Sequence, residues 1–218
     1  MTAERMARSE RSTGTREAIL SAAELLFAER GMYAVSNRQI SEAAGQGNNA
    51  AVTYHFGTKA DVVAAIVRKH AELIEHGRAR MAAEVGDSTE LRDWVTCAVR
   101  PVTDHLESLG SPSWYARFNA QVTADPALHA IAYESFNAAS PSMRQLQDGL
   151  NRCVAHLPSG VHAERAAMTR HLVTQMCVER ERALAENLPT PRASWDEAAT
   201  GLIDAIVALW EAPVTLEP

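Results

Sequence analysis

Lys59, one of only two lysines in an arginine-rich chain, stands beside Tyr54 and His55 in a stretch of donor side chains that begins at Ser36. Thr58 and Asp61 form a Ser/Thr-x-x-acid start signal, which puts Lys59 in the first turn of a helix. The free amide groups and the positive dipole end found there attract a phosphate, so the chemistry on offer is anion holding. Bond-making chemistry has no comparable support. The chain has eight histidines, yet His70 and His76 lack carboxylates at metal-site spacing, and His162 and His171 do not form an H-E-x-x-H pattern. Neither a glycine-rich phosphate loop nor a nucleophile elbow is present. No catalytic residue, metal site or cofactor is expected.

The elements that must carry these donors are readable in the segment from Ser36 to Lys59. Ser36 and Gln39 make a capping box flanked by the apolar pair Val35 and Ile40, which predicts a helix starting at Asn37. Gly45 supplies the residue that can leave this helix with positive φ. The turn Gln46-Gly47-Asn48-Asn49 ends in a favoured N-cap, so a second helix is expected from about Ala50. In it Val52 and Phe56 point inward, leaving Ala50, Ala51, Thr53 and Tyr54 outside. Small outward residues on the second member of such a pair suit docking into the DNA major groove, because a bulky face would hold the backbone off the base edges.

The runs TREAILSAAELLFAERG, VSNRQISEAAG and AVTYHFGTKADVV together resemble the DNA-binding region of TetR-type transcriptional regulators, over about the first third of the chain. The resemblance implies that Ser36, Asn37 and Arg38 lie at the groove edge, with Arg38 a base-contact candidate. It also implies that Ala50 and Ala51 stand nearest the bases and that Tyr54, His55 and Lys59 hold phosphates; Asn49 and Thr53 complete the candidate set. Two features depart from the family pattern. One extra residue falls between Gly45 and Phe56, and Thr53 stands where the family usually has tyrosine.

The formal charge of −6 divides unevenly: residues 1–83 hold 11 Lys+Arg against 9 Asp+Glu, and the remainder 10 against 18. That asymmetry keeps an acidic body away from phosphates while the head approaches them. The three cysteines, Cys97, Cys153 and Cys177, are odd in number and widely spaced, which fits reduced buried thiols. With no apolar run of signal-peptide or membrane-span length, a cytoplasmic protein without membrane association is expected. Residues 1–14, with Arg5, Arg8 and Arg11 among Ser, Thr and Gly, read as a disordered basic tail. The expected organisation is then a helix-turn-helix domain over residues 15–60, a linking helix over 61–86, and an effector-binding and dimerisation domain over 87–218.

Within that last domain, Asp87 with Glu90 opens a helix that Pro101 should kink or break. Ser111-Pro112, Asp125-Pro126 and Ser140-Pro141 each look like an N-cap followed by proline at the first helical position. A long helix is expected over residues 161–187 and a last one from the Ser194…Glu197 box. With no strand pattern, the class is all-α with about nine or ten helices. The last two long helices carry a wide apolar face with small residues such as Ala166, Ala167 and Ala205, which points to a homodimer through a four-helix bundle. Trp94, Trp114, Tyr115, Phe118, Phe136, Met143 and Met176 could line an apolar pocket. Asn119, His171 and Gln175 would be its polar handles. The expected function is a repressor that leaves a palindromic operator when a small apolar or amphipathic effector binds. An all-helical interaction adaptor and a small helical enzyme are the alternatives.

Overall fold

The computed structural model describes residues 3–48 and 50–215, with the side chains of residues 3–11 outside that description. Among the described residues it is all-helical, with ten helices: α1 Ala3–Arg30, α2 Asn37–Ala43, α3 Ala51–Phe56, α4 Lys59–Val85, α5 Leu91–Ser108, α6 Tyr115–Ala124, α7 Pro126–Ala139, α8 Ser142–Cys153, α9 Ser159–Ala185 and α10 Trp195–Glu211. Among the described residues no helix is long and apolar enough to cross a membrane.

Helix starts follow local chemistry closely. Ser36 caps α2 by accepting from Gln39 N, and the Gln39 side chain accepts from Ser36 N at 2.8 Å, so both halves of the capping box form. At α4 the Asp61 carboxylate accepts from Thr58 N at 2.8 Å while Thr58 Oγ1 accepts from Asp61 N at 3.2 Å. Asp125 caps α7 by accepting from Ala127 N and Leu128 N, and Ser194 caps α10 by accepting from Glu197 N. Each bond satisfies a backbone donor that the helix leaves orphaned. Gly31 and Gly45 end α1 and α2 with φ of +88° and +67°, a region closed to most side chains.

Three expectations need correction. Helix α1 begins at Ala3, so the tail expected over residues 1–14 is helical from that point; AERMARSER is rich in strong helix formers and holds no proline. Helix α5 runs through Pro101 to Ser108, so of the kink or break expected there the break does not occur; its buried side includes Val95, Val99 and Leu106. Helix α6 opens at Tyr115 rather than at Pro112, and α8 opens at Ser142 with Pro141 at its N-cap and no side-chain cap.

By its contacts the chain forms two compact units, Met1–Lys69 with Arg117–Phe136, and His70–Ala116 with Asn137–Pro218. The first is built on Ile19, Ala23, Leu26, Phe27, Val35, Ile40, Val52, Val62 and Ile66, all buried. Phe118 of α6 enters the same core, its ring stacked on Phe27 at 6.3 Å, and Gln121 Nε2 donates to Ala28 O at 3.1 Å. The second unit centres on α5 and α10, where Val95, Val99, Ala199, Leu202, Ile203, Ile206 and Trp210 form one cluster. A neighbouring cluster joins Ala82, Trp94, Cys97 and Leu146.

Candidate nucleic-acid interface

Helix α3 is the shortest helix of the first unit. Its six residues are too few to be stable alone, so packing must set its orientation. Positions 51, 52, 55 and 56 form the side turned inward: Ala51 is 7 % and Val52 0 % exposed, and His55 and Phe56 are half-buried. The opposite side carries Ala50, Thr53 and Tyr54, all exposed, with Tyr54 at 81 %. This corrects the expectation that Ala51 faces out. The helix opens one residue later than Asn49 would set it, and Ala51 joins the inward side in its first turn. Asn49 lies outside the described residues; next to it, the Asn48 side chain accepts from Ala50 N at 2.9 Å.

The other expected donors occupy the rim of the same unit. Ser36 and Arg38 are exposed and Asn37 is half-buried. The Arg38 guanidinium pairs with Glu42 at 2.7 Å, and this bond is the main reason its pKa rises above the usual arginine value. Tyr54 and His55 meet edge to face at 5.0 Å. Lys59 is half-buried, and its Nζ donates to Met32 O at 3.0 Å. Ser36, Arg38, Thr53 and Tyr54 therefore offer open side chains, whereas Asn37, His55 and Lys59 also serve the packing of the unit.

Two contacts to α3 and to the α1–α2 turn were not expected from sequence. Arg16 Nη1 donates to His55 O at 2.5 Å, and its guanidinium lies 4.3 Å from the Phe56 ring centroid. The Tyr33 hydroxyl, on a residue 80 % exposed, donates to the Asp125 carboxylate; that bond lowers the Asp125 pKa and raises that of Tyr33. Both pairs are remote in sequence, so no local pattern announces them.

The residues expected to line a pocket divide between the two units. Phe118 and Asn119 belong to the first unit, as does Phe136, and Phe118 is fully buried on Phe27. In the second unit Trp94 is fully buried, with Met143 packed beside its cluster, and donates Nε1–H to Ser88 O. His171, Gln175 and Met176 are exposed on α9, and Trp114 is half-buried. Tyr115 is buried and stacks on His70 at 3.9 Å, while His70 Nδ1 and His105 Nε2 approach to 2.7 Å. A cavity of about 840 Å³ in this unit is lined instead by Glu72, Glu75, His76, Ala79, Arg80, Ala138, Ala139 and Pro141. The Glu75 carboxylate there accepts from Ser142 N and Oγ at 2.8 and 2.7 Å. Cys97 and Cys177 are buried and free, and burial pushes their thiols up to about 11 and about 12.

Part of the first unit matches a known family. Residues 19–66 match the family model described as bacterial regulatory proteins, tetR family. Over 91 % of its length the chain is similar to all of a solved TetR-family transcriptional regulator from Rhodococcus sp., at 18 % identity and a TM-score of 0.51. It is similar over 90 % of its length to 97 % of the HlyIIR mutant protein, at 17 % identity and a TM-score of 0.51. No curated protein sequence matches it. At these identities the solved structures speak for the fold, and the family match speaks for the head. Residues 19–66 thus carry the tetR-family signature of bacterial regulatory proteins, on the helix-turn-helix head of an all-helical fold that a solved regulator of that family shares.

Proposed function

We propose that the protein is a homodimeric, cytoplasmic transcriptional repressor that reads a palindromic operator with α3 and leaves it when a small apolar or amphipathic molecule binds. The observation that carries the DNA-reading part is the open side of α3: Thr53 and Tyr54 project from a short helix whose other side is packed into a tetR-family head. Such a ridge enters a major groove, and Arg38 at the start of α2 supplies a forked donor for a base edge. Tyr54, His55 and Lys59 supply the phosphate contacts, with Ser36 and Asn37 at the groove edge.

The dimer places α9 and α10 of each copy in a four-helix bundle. Met168 and Met176 of α9 are 41 % and 43 % exposed, and Ala205 and Ala208 of α10 are exposed too, which gives apolar surface and room for close approach. Two symmetric readers turn modest half-site affinity into useful specificity. The effector binds in the body that follows the linking helix and favours an arrangement of the pair that no longer fits DNA. A hundredfold loss of DNA affinity requires only about 2.8 kcal/mol of coupling.

A mobility shift on duplex DNA over a salt series tests this reading against a purely protein-binding adaptor. Binding that weakens steeply with salt and saturates as two chains per site supports it, and no shift at low salt contradicts it.

A further inference from the structure

Arg16 lies on α1, outside the α2–α3 pair, and its hydrogen bond and its ring contact fall on the end of α3. Its Nη1 takes the His55 carbonyl at 2.5 Å, and its guanidinium sits over Phe56 at 4.3 Å from the ring centroid. Helix α3 begins at Ala51, with Ala50 at its N-cap donating N–H to the Asn48 side chain at 2.9 Å, and it ends at Gly57, whose φ is +89° and whose N–H donates to Thr53 O. The last carbonyls of a helix lack intrahelical donors and carry its negative dipole end, and a cation placed there satisfies both. Because so short a helix does not hold its own geometry, a clamp at one end sets the angle at which its outer side is presented.

We propose that Arg16 is a positioning residue for DNA reading: from α1 it pins the end of α3, so that Thr53 and Tyr54 meet the groove at a fixed angle, without itself neutralising a phosphate. This rests on the reading of α3 as the DNA-facing helix. Arginine suits the task because one planar group donates a hydrogen bond and stacks on a ring at once, which a lysine ammonium does with much poorer geometry. Arg16 is exposed, so its replacement leaves the core of the unit intact.

The test compares Arg16→Ala and Arg16→Lys with the unaltered full-length chain. Amide hydrogen exchange of residues 53–57 is followed in the free protein, and affinity for a sequence selected from random DNA and for random duplex is followed over a salt series. Expected are faster exchange in α3 with unchanged protection in α1 and α4, a loss of roughly tenfold or more on the selected sequence in both variants, and an unchanged salt slope. Equal losses on selected and random DNA with a slope lower by about one per head, rescued by lysine, would make Arg16 a phosphate contact and overturn the proposal. Unchanged exchange in α3 would overturn it as well. If the unaltered protein selects no sequence, the DNA-reading function itself fails, and the exchange arm still decides whether Arg16 holds α3.

Discussion

The Lys59 ammonium donates to the Met32 carbonyl at 3.0 Å, tying the first turn of α4 to the turn that leads from α1 into α2. An ammonium has three donors, so this bond leaves two for a phosphate. Lys59→Ala is therefore expected to weaken binding to all DNA sequences alike and to lower the salt slope by about one per head. Binding titrations between low and moderate salt read this directly, and an unchanged slope would remove Lys59 from the phosphate contacts.

Arg38 behaves differently because its partner is cheap to leave. The pair with Glu42 is 72 % and 53 % exposed, so water already competes for it and a guanine edge can replace the carboxylate. Arg38→Ala should cost roughly tenfold to a hundredfold on the operator and relax preference at one position in each half-site. Competition against single-base variants of the operator measures both effects; equal losses on specific and random DNA would rule out base reading.

The starts of α2 and α4 are legible in the sequence because they rest on contacts three residues apart: Ser36 with Gln39, and Thr58 with Asp61. Arg16 on His55 and Tyr33 on Asp125 were not legible, since they join residues that only the tertiary fold brings together. Ala51 was misplaced for a related reason. In so short a helix a shift of one residue at the start decides which side an alanine takes, and alanine has no polarity to declare it. Aromatic and sulfur side chains serve cores and cavities equally well, so sequence alone does not separate the two roles; Trp94 and Phe118 are fully buried.

Gly149 supports Trp94 by absence. A Cβ at position 149 would lie 2.2 Å from the indole, far inside contact distance, and the indole is 0 % exposed and hydrogen-bonded through Nε1. Gly149→Ala is expected to destabilise the fold by at least about 1–3 kcal/mol, the usual range for overpacking a core. A denaturation midpoint equal to that of the unaltered protein would show that Trp94 has somewhere else to go.

His105 gives the second unit a pH dependence of defined sign. Burial first, and the neighbouring His70 second, lower its pKa from 6.5 to about 4. Between those values the unfolded chain takes up a proton that the folded chain refuses, so stability falls as pH drops through that window and the loss is complete below about 4. Melting temperatures across this range should fall less steeply in His105→Gln than in the unaltered protein; parallel curves would contradict the assignment.

The central claim is that two copies of the chain read neighbouring turns of one duplex with the open side of α3. Selection of bound sequences from random double-stranded DNA tests it most directly. The account predicts an inverted repeat whose half-sites are centred about one helical turn, roughly 10 base pairs, or a multiple of it apart. Recovery of no enriched sequence, or of a single site without two-fold symmetry, would contradict it.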